Sequence, residues 1–224
     1  MRCGRAIKAS DVVADPQLEL FKGSSTIASN DNWDSSLAPT ANSLGAYPLA
    51  VGSKDSALLS TLAPGAYTTH VTSTSGATGI ALIELYDADS APVSASSARL
   101  VNVSGRAHVG TGDNVLIAGF VLSGNSTKRL LIRAIGPGLK AQGVTDFLAD
   151  PELLIYHGSE VIVTNDNWNY ADANTFATVG AFALDPASKD AALVLDLSPG
   201  VYTAMVRGVG GTTGSALVEI YEVP

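Results

Sequence analysis

The chain has 224 residues, of which 46% are hydrophobic and 15% are charged, and it contains 22 glycines and 10 prolines. This composition is too apolar for a disordered chain and is typical of a globular, strand-rich protein with many turns. A formal net charge of −8 leaves no basic surface for phosphates, and no apolar run reaches the roughly 20 residues that span a bilayer, so neither nucleic acid nor a membrane span is expected.

An internal duplication dominates the sequence. Residues 15–86 align with residues 150–221 without a gap, at a constant spacing of 135 residues. The most distinctive match is an Asn-Asp-Asn-Trp motif, which occurs at residues 30–33 and again at residues 165–168. Because the apolar positions of the two copies coincide, we expect both copies to adopt the same fold.

Strand patterns follow one another in the same order in both copies. The stretch after each Asp-Pro pair alternates apolar and polar residues, as a short strand does. Residues 57–62 and 81–86 of the first copy show further strand patterns, and residues 192–197 and 216–221 of the second copy repeat them. We therefore predict antiparallel strands at all four places, the last of each copy half-buried.

Three strand-like stretches occur only once in full. Residues 99–103, 115–122 and 128–135 precede the second copy. The last two are predicted to form a hairpin through residues 123–127, which are rich in turn-forming residues. The first copy lacks these stretches, so we expect a sandwich without its edge strands, which leaves backbone unpaired.

The first copy begins partway into the repeated unit, because ahead of the duplicated part only Arg5-Ala6-Ile7 matches Arg133-Ala134-Ile135. The predicted fold is all-β, with two tandem antiparallel β-sandwich domains of Ig-like or jelly-roll-like character. The first, incomplete domain is assigned to residues 1–88 and the complete second domain to residues 99–224. Residues 89–98, which are rich in Ala and Ser, are predicted to be a linker.

The two Asn-Asp-Asn-Trp loops are the candidate metal sites. Calcium takes about 6 to 8 oxygen ligands, and each loop offers adjacent side chains that carry oxygen. The same residue types also cap turns by bonding to their own backbone, and no EF-hand spacing is present, so this alternative stays open. No other cofactor is expected. The candidate calcium ligands are Asn30, Asp31, Asn32, Asp34, Asn165, Asp166 and Asn167.

Trp33 and Trp168 are candidate platforms for stacking on sugar rings, together with Tyr47 and Tyr170. Only 6% of the chain is aromatic, and the two tryptophans occupy equivalent positions beside other matched apolar residues. That placement favours two core anchors. We therefore expect both tryptophans to be mostly buried, with glycan binding as the alternative.

No pattern of catalytic residues stands out, and the chain is predicted not to be an enzyme. Ser53-Lys54 and Ser188-Lys189 repeat, but neighbouring residues of an extended chain point to opposite faces and do not share a proton. The three histidines, His70, His108 and His157, occur at unmatched positions without ligand spacing, so they are not expected to chelate a metal.

Five motifs of the second copy together resemble tandem β-sandwich repeat modules found near the C-termini of very large bacterial secreted or surface proteins. They are Arg-Ala-Ile-Gly-Pro-Gly-Leu at 133–139, Asp-Pro at 150–151, Asn-Asp-Asn-Trp at 165–168, Pro-Gly-Val-Tyr-Thr at 199–203 and Thr-Gly-Ser-Ala-Leu at 213–217. The later half is also weakly similar to the pre-peptidase C-terminal domain, a jelly-roll-like sandwich attached to secreted hydrolases. The resemblance implies an extracellular accessory module.

The favoured function is therefore a non-catalytic structural or adhesive module that is extracellular or on the cell surface. Its expected partners are other copies of itself or neighbouring repeat modules, because open sheet edges pair with further strands and head-to-tail contacts produce filaments. The first alternative is a carbohydrate-binding accessory module of a secreted polysaccharide-degrading protein, and the second is a hydrolase. No signal peptide is recognisable at the start of the sequence.

Overall fold

The computed structural model describes residues 12–89 and 97–224, so Arg5-Ala6-Ile7 and most of the predicted linker lie outside the described residues. The chain divides into two compact units, Met1–Arg99 and Leu100–Pro224, which we call the first and the second unit. Sheets of antiparallel strands make up both units. The prediction of an all-β, sandwich-type fold with two similar halves is confirmed.

The first unit contains one antiparallel sheet. Its strands are β1 (Pro16–Lys22), β2 (Ser25–Asn30) and β3 (Thr68–Ser73), arranged in the order β2-β1-β3. A 3-10 turn at Ser35–Leu37 leads into the short helix α1 (Ala38–Leu44). Within residues 12–89, Leu20 is the only apolar residue that is fully buried, so this unit has a very small core.

The second unit is a complete two-layer sandwich. The four-stranded sheet β5-β10-β7-β8 packs against the four-stranded sheet β4-β11-β6-β9, and the helix α2 follows β8. The apolar residues that both sheets turn inwards form one continuous core. The elements are β4 (Asn102–Val109), β5 (Leu116–Leu122), β6 (Lys128–Ile135), β7 (Pro151–His157), β8 (Glu160–Asn165), α2 (Ala173–Val179), β9 (Ala191–Leu197), β10 (Gly200–Gly208) and β11 (Gly214–Glu222).

Strand β6 is an interior strand that is buried on both faces. It pairs with β11 on one side and with β9 on the other. Leu130 and Ile132 point into the sandwich core, whereas Leu131 and Ile135 belong to a second apolar cluster on the outer face, which Trp168 and other residues cover. This double burial explains why the strand is an almost continuous apolar run rather than an alternating one.

The two units repeat each other element by element over part of their length. Strands β1 and β2 and helix α1 have the same bounds as β7, β8 and α2 after the spacing of 135 residues, and each helix ends at a left-handed glycine, Gly45 or Gly180. Even the irregularities coincide, because the register shifts between Leu20 and Phe21 and again between Ile155 and Tyr156. The duplication therefore extends from the residue pattern to backbone geometry.

The repeat fails where the second sheet of the first unit is expected. Residues 57–62 and 81–86 correspond to parts of β9 and β11, but neither stretch is a strand, so the prediction of strands there is wrong for the first unit. Leu82 and Leu85 are 67% and 61% exposed. The physical reason is that β9 and β11 do not pair with each other: both pair with β6, and the described residues of the first unit include no counterpart of β6.

Two finer expectations about residues 99–135 are also wrong. Strands β5 and β6 were expected to form a hairpin, but they lie in different sheets, so residues 123–127 cross from one layer to the other. The stretches that occur once were expected to be edge strands. Strands β4 and β5 do lie at edges, but β6 is central, and the loss of a central strand separates its two neighbours.

This difference predicts contrasting hydrogen exchange in the two units. Residues 216–221 lie in β11, which is paired on both sides, and the amides of residues 192–197 that face β6 are held in the β6-β9 ladder, so we expect strong protection of these amides from exchange. Amides of residues 57–62 and 81–86 have no ladder among the described residues and should exchange orders of magnitude faster. Mass spectrometry of peptic fragments measures both, and equal protection in the two units would contradict the assignment.

Candidate functional site

Asn30 and Asn165 hold their loops to a neighbouring segment of the chain. The Oδ1 atom of Asn30 accepts the backbone N–H of Ala57, and its Nδ2 donates to the carbonyl of Asn32 at 2.9 Å. Asn165 makes the same pair of bonds, to the N–H of Ala192 and the carbonyl of Asn167. These contacts correspond to the turn-capping alternative, and they use both polar atoms of each amide.

The other candidate calcium ligands are spread along the loops. Oδ1 of Asp34 accepts the backbone N–H of Ser36 at 2.8 Å and caps the 3-10 turn, and these hydrogen bonds hold the pKa of Asp34 below its usual value. Asp31 and Asp166 are exposed. Within residues 12–89 and 97–224, no three His, Cys, Asp or Glu side chains converge as a metal-binding group. Calcium binding by these loops stays a prediction.

The two tryptophans occupy equivalent positions but differ in burial. Trp168 is 7% exposed, lies 5.1 Å from the ring of Phe176 between centroids, and donates its Nε1–H to the carbonyl of Asp185. Trp33 donates to the carbonyl of Ala50 in the same way but is only half-buried. The expectation of burial therefore holds for Trp168 and not fully for Trp33. Glycan stacking on these rings stays a prediction, and Trp168 offers it little surface.

The repeated Ser-Lys pairs take part in ion pairs rather than in a nucleophilic site. Lys54 bonds to Asp15, and Lys189 bonds to Asp150. Lys54 is the main reason why the pKa of Asp15 is lowered. Each ion pair connects the loop that contains the lysine to the Asp-Pro turn at the start of β1 or β7, which is a structural role. Among the histidines, His157 stacks on Tyr202 with ring centroids 4.9 Å apart.

A buried cluster around Arg133 is the most chemically unusual feature of the second unit. Arg133 is in the middle of the β4-β11-β6-β9 sheet and has no solvent exposure. Its Nε donates to Glu219 Oε2 at 2.8 Å, and Nη1 donates to the carbonyl of Phe182 at 2.7 Å. The guanidinium also lies over the ring of Phe176, 4.8 Å from its centroid. A buried charge is tolerated because each face and edge of it has a partner.

Glu219 is bound from the other side by Tyr221. The Tyr221 hydroxyl donates to Glu219 Oε1 at 2.7 Å. Burial, and next the hydrogen bond to Glu219, raise the pKa of Tyr221 to about 12. The tyrosine therefore stays neutral over the physiological pH range and keeps its hydroxyl hydrogen for the bond to Glu219, so both oxygens of the carboxyl group are bonded.

Asp190 fixes the turn that follows β6. It is fully buried, and its carboxylate accepts the backbone N–H groups of Gly136 and Gly138. Both glycines are required: a Cβ at Gly136 would lie 1.9 Å from the carbonyl oxygen of Leu148, and one at Gly138 would meet Asp190 and two apolar side chains. Two carboxylates, Glu219 and Asp190, thus hold one strand and the turn after it.

Counterparts of these partner groups are present in the first unit. Glu84 corresponds to Glu219, Tyr86 to Tyr221 and Asp55 to Asp190. Here Glu84 Oε2 accepts the backbone N–H of Tyr47 at 3.1 Å, and Asp55 accepts the hydroxyl of Ser53. Within residues 12–89 no arginine contacts Glu84, since that stretch contains no arginine. We call Glu84, Asp55 and the segments 57–62 and 81–86 the open half of the first unit.

Sequence reasoning missed this cluster because its members are far apart in the chain and each has an ordinary local explanation. Glu219 fits the polar face of a half-buried strand, and Gly136 and Gly138 fit a turn. The signal that could have identified it is the unequal repeat: the acidic residues at positions 84 and 219 are matched, whereas Arg133 has only Arg5 as a counterpart, outside the described residues.

Comparison with known proteins does not assign this chain to a family. Neither a family model nor a curated protein matches the chain. A solved structure of the pre-peptidase C-terminal domain of collagenase from Bacillus anthracis is similar to 54% of this chain and 89% of its own length, at 12% identity and a TM-score of 0.34. The structural similarity to that domain is weak, and no function follows from it. In the described part of the chain, no helix is long and apolar enough to cross a membrane.

Replacing Arg133 tests the buried cluster. Arg133→Ala leaves Glu219 buried without its partner, and we expect a loss of about 3–5 kcal/mol in the free energy of unfolding of the second unit. The matched control is Arg207→Ala, which removes an exposed pair with Glu152 and should cost less than about 1 kcal/mol. Urea unfolding followed by Trp168 fluorescence in a Trp33→Phe background measures both. Similar losses for the two variants would contradict a buried role for Arg133.

Proposed function

We propose that this protein is a non-catalytic structural or adhesive repeat module that acts outside the cell. It assembles through the first unit with other copies of itself and with neighbouring repeat modules. The observation that carries the proposal is the open half of the first unit, where two segments with strand sequences have no strand between them among residues 12–89. The extracellular location is supported by the resemblance of the second copy to repeat modules of secreted and surface proteins.

The exposed apolar surface of the first unit supports an assembly role. Leu82, Ile83 and Leu85 are exposed, although the stretch they belong to, residues 81–86, matches the sequence of part of β11. Soluble monomers rarely leave large contiguous apolar patches open to water, and such patches usually mark a contact with another molecule. The unpaired backbone of the same segment adds hydrogen-bonding groups that another strand can satisfy.

The three-stranded sheet of the first unit has a second opening. Strand β3 corresponds to part of β10, and β10 pairs with β5 on the side where β3 has no described neighbour. The first unit therefore presents an open sheet edge as well as the open half. Contacts of this kind join one face of a molecule to a different face of the next, so they extend into chains unless the rotation closes a ring.

Self-association of the full chain tests the proposal. We expect size-exclusion chromatography with light scattering to show a mass that rises with protein concentration. Substituting Leu82→Lys and Leu85→Lys together places two charges on the apolar segment and should shift the chain towards monomer.

A double variant of the second unit provides the matched control. Val121 and Val201 are similarly exposed, at 68% and 64%, but they lie on paired strands. Val121→Lys with Val201→Lys changes the net charge by the same amount and should leave association unchanged. A wild-type chain that stays monomeric at every concentration, or a control that dissociates equally, would contradict assembly through the first unit.

A carbohydrate-binding module is the second candidate, and one observation favours it. Tyr170 is 65% exposed and contacts Trp168 with ring centroids 5.9 Å apart and the planes tilted by 57°, so much of its ring is accessible from solvent. Stacking on sugar rings needs an accessible aromatic face.

Retention on insoluble polysaccharides tests the second candidate. If the chain binds glycans through this face, Tyr170→Ala should abolish retention because the stacking surface is lost. Tyr47→Ala, which removes an equally exposed tyrosine of the first unit, should not. Failure of the unmodified chain to bind any polysaccharide of the panel would exclude this candidate.

A further inference from the structure

We propose that the open half of the first unit is a binding site for a β-strand from another polypeptide, and that this strand has the chemistry of β6. It carries apolar residues on both faces, an arginine that enters the sheet, and a Gly-Pro-Gly turn directly after the strand. The inference rests on the proposed function, since it identifies the kind of segment through which a neighbouring module joins the first unit.

The second unit shows what an occupied site looks like. Strand β6 supplies backbone hydrogen-bonding groups to β11 along one side and to β9 along the other. Leu130, Ile132 and Ala134 complete the sandwich core, while Leu131 and Ile135 complete the outer cluster. Removing this one strand would leave β9 and β11 without a shared neighbour, and in the described part of the first unit the corresponding segments, 57–62 and 81–86, have no such neighbour.

Residues 57–62 and 81–86 of the first unit keep much of the sequence of β9 and β11, the two strands that flank β6 in the second unit. Residues 81–86 read Ala-Leu-Ile-Glu-Leu-Tyr, and residues 216–221 of β11 read Ala-Leu-Val-Glu-Ile-Tyr. Residues 57–62 begin with the same Ala-Leu pair as residues 192–197 of β9. A strand inserted between them would therefore meet nearly the same side chains as β6 meets in the second unit.

Charge identifies the occupant more closely than shape does. In the second unit, Glu219, the counterpart of Glu84, binds the side chain of Arg133. Asp190, the counterpart of Asp55, accepts the two backbone N–H groups of the Gly-Pro-Gly turn. In the first unit, Glu84 accepts a bond from the backbone of Tyr47, and Asp55 accepts one from Ser53. A strand that covered Glu84 without bringing an arginine would bury a carboxylate that has hydrogen bonds but no cationic partner, which is unfavourable. The site therefore favours a strand with arginine at that position.

Neither segment of this chain that resembles the strand is a suitable donor. Arg5-Ala6-Ile7 matches the end of β6, but Arg2, Cys3 and Gly4 stand where β6 has three apolar residues, and Lys8 replaces the Gly-Pro-Gly turn. The β6 strand of a folded second unit is itself buried in its own sheet and would have to leave it. These two segments are therefore set aside, and the proposed donor is a strand of the β6 type on another polypeptide.

A synthetic peptide with the sequence of residues 128–142 is the probe for this site. It contains β6, the arginine and the turn. We expect the peptide to bind the full chain at a ratio of one to one in fluorescence anisotropy. Hydrogen exchange should show new protection at residues 57–62 and 81–86 and no gain at residues 68–73, which form the edge strand β3.

Paired substitutions test the arginine. A peptide with Arg133→Ala should bind at least about tenfold more weakly, and the full-chain variant Glu84→Gln should weaken the wild-type peptide to a similar extent. The two changes together should cost no more than either alone, because they remove the same contact. Glu19→Gln removes one negative charge from β1, outside the open half, and should leave the affinity unchanged. Asp55→Asn, which should weaken binding through the turn amides, provides a second variant if Glu84→Gln does not fold.

The outcomes separate this inference from the proposed function. Self-association without any peptide-induced protection at residues 57–62 and 81–86 would overturn strand acceptance while leaving assembly through the edge of β3 intact. Peptide binding to a chain that is otherwise monomeric would support strand acceptance and overturn assembly between copies. Equal affinity for both peptides would overturn the role of arginine. Protection that appears only in an Arg5→Ala variant would overturn a donor from another polypeptide, because the chain would then fill its own site.

Discussion

The ion pair between Arg133 and Glu219 joins the two strands on which the second sheet depends. Taking both charges out of water costs several kcal/mol each, and attraction between them offsets this cost only if the remaining hydrogen-bonding groups are satisfied. That condition is met here. The carbonyl of Phe182 and the rings of Phe176 and Phe182 contact the guanidinium of Arg133, and the hydroxyl of Tyr221 donates to the second oxygen of Glu219. Asp190 adds a second anchor at the end of β6. Strands β9, β6 and β11 are consequently held together by side chains as well as by their backbones.

The two units show how far a strand depends on its neighbours. Residues 81–86 and 216–221 have almost the same sequence, yet only the second forms a strand, because only there does β6 lie beside it. Strand propensity mostly measures how well a residue packs on a pleated, half-buried surface. In the first unit, where no such surface is formed by the described residues, the matching apolar residues lie in a segment that pairs with no strand and is exposed to solvent.

The part of the fold that could be predicted from sequence is the part that is encoded locally. Strands β1 and β7 follow from alternation after an Asp-Pro turn, and the duplication predicts that whatever forms at residues 16–44 forms again 135 residues later. The sheet to which a strand belongs is different. Alternation shows which residues of a strand share a face, but not which strand lies beside it in the sheet. For this reason the sequence predicts a hairpin of β5 and β6, although the two strands lie in opposite layers. Trp33 was expected to be as buried as Trp168, but it is half-buried, and within residues 12–89 only Leu20 belongs to the buried apolar residues.

A buried arginine in a donated strand provides specificity as well as affinity. Any extended apolar peptide could pair its backbone with residues 57–62 and 81–86, because main-chain hydrogen bonds do not distinguish sequences. Glu84 changes this, since a strand without a cation would remove its carboxylate from water and give nothing in return, a penalty of several kcal/mol. Asp55 adds a requirement for two free amides directly after the strand, and only a turn with glycine can bring both close enough, as Gly136 and Gly138 do in the second unit. In this proposal, Glu84 disfavours strands that carry no cation, and Asp55 favours a strand that is followed directly by a glycine turn. Under the proposed function, a molecule that is complete in one unit and accepts a strand in the other would assemble with a direction, because the two units are not interchangeable.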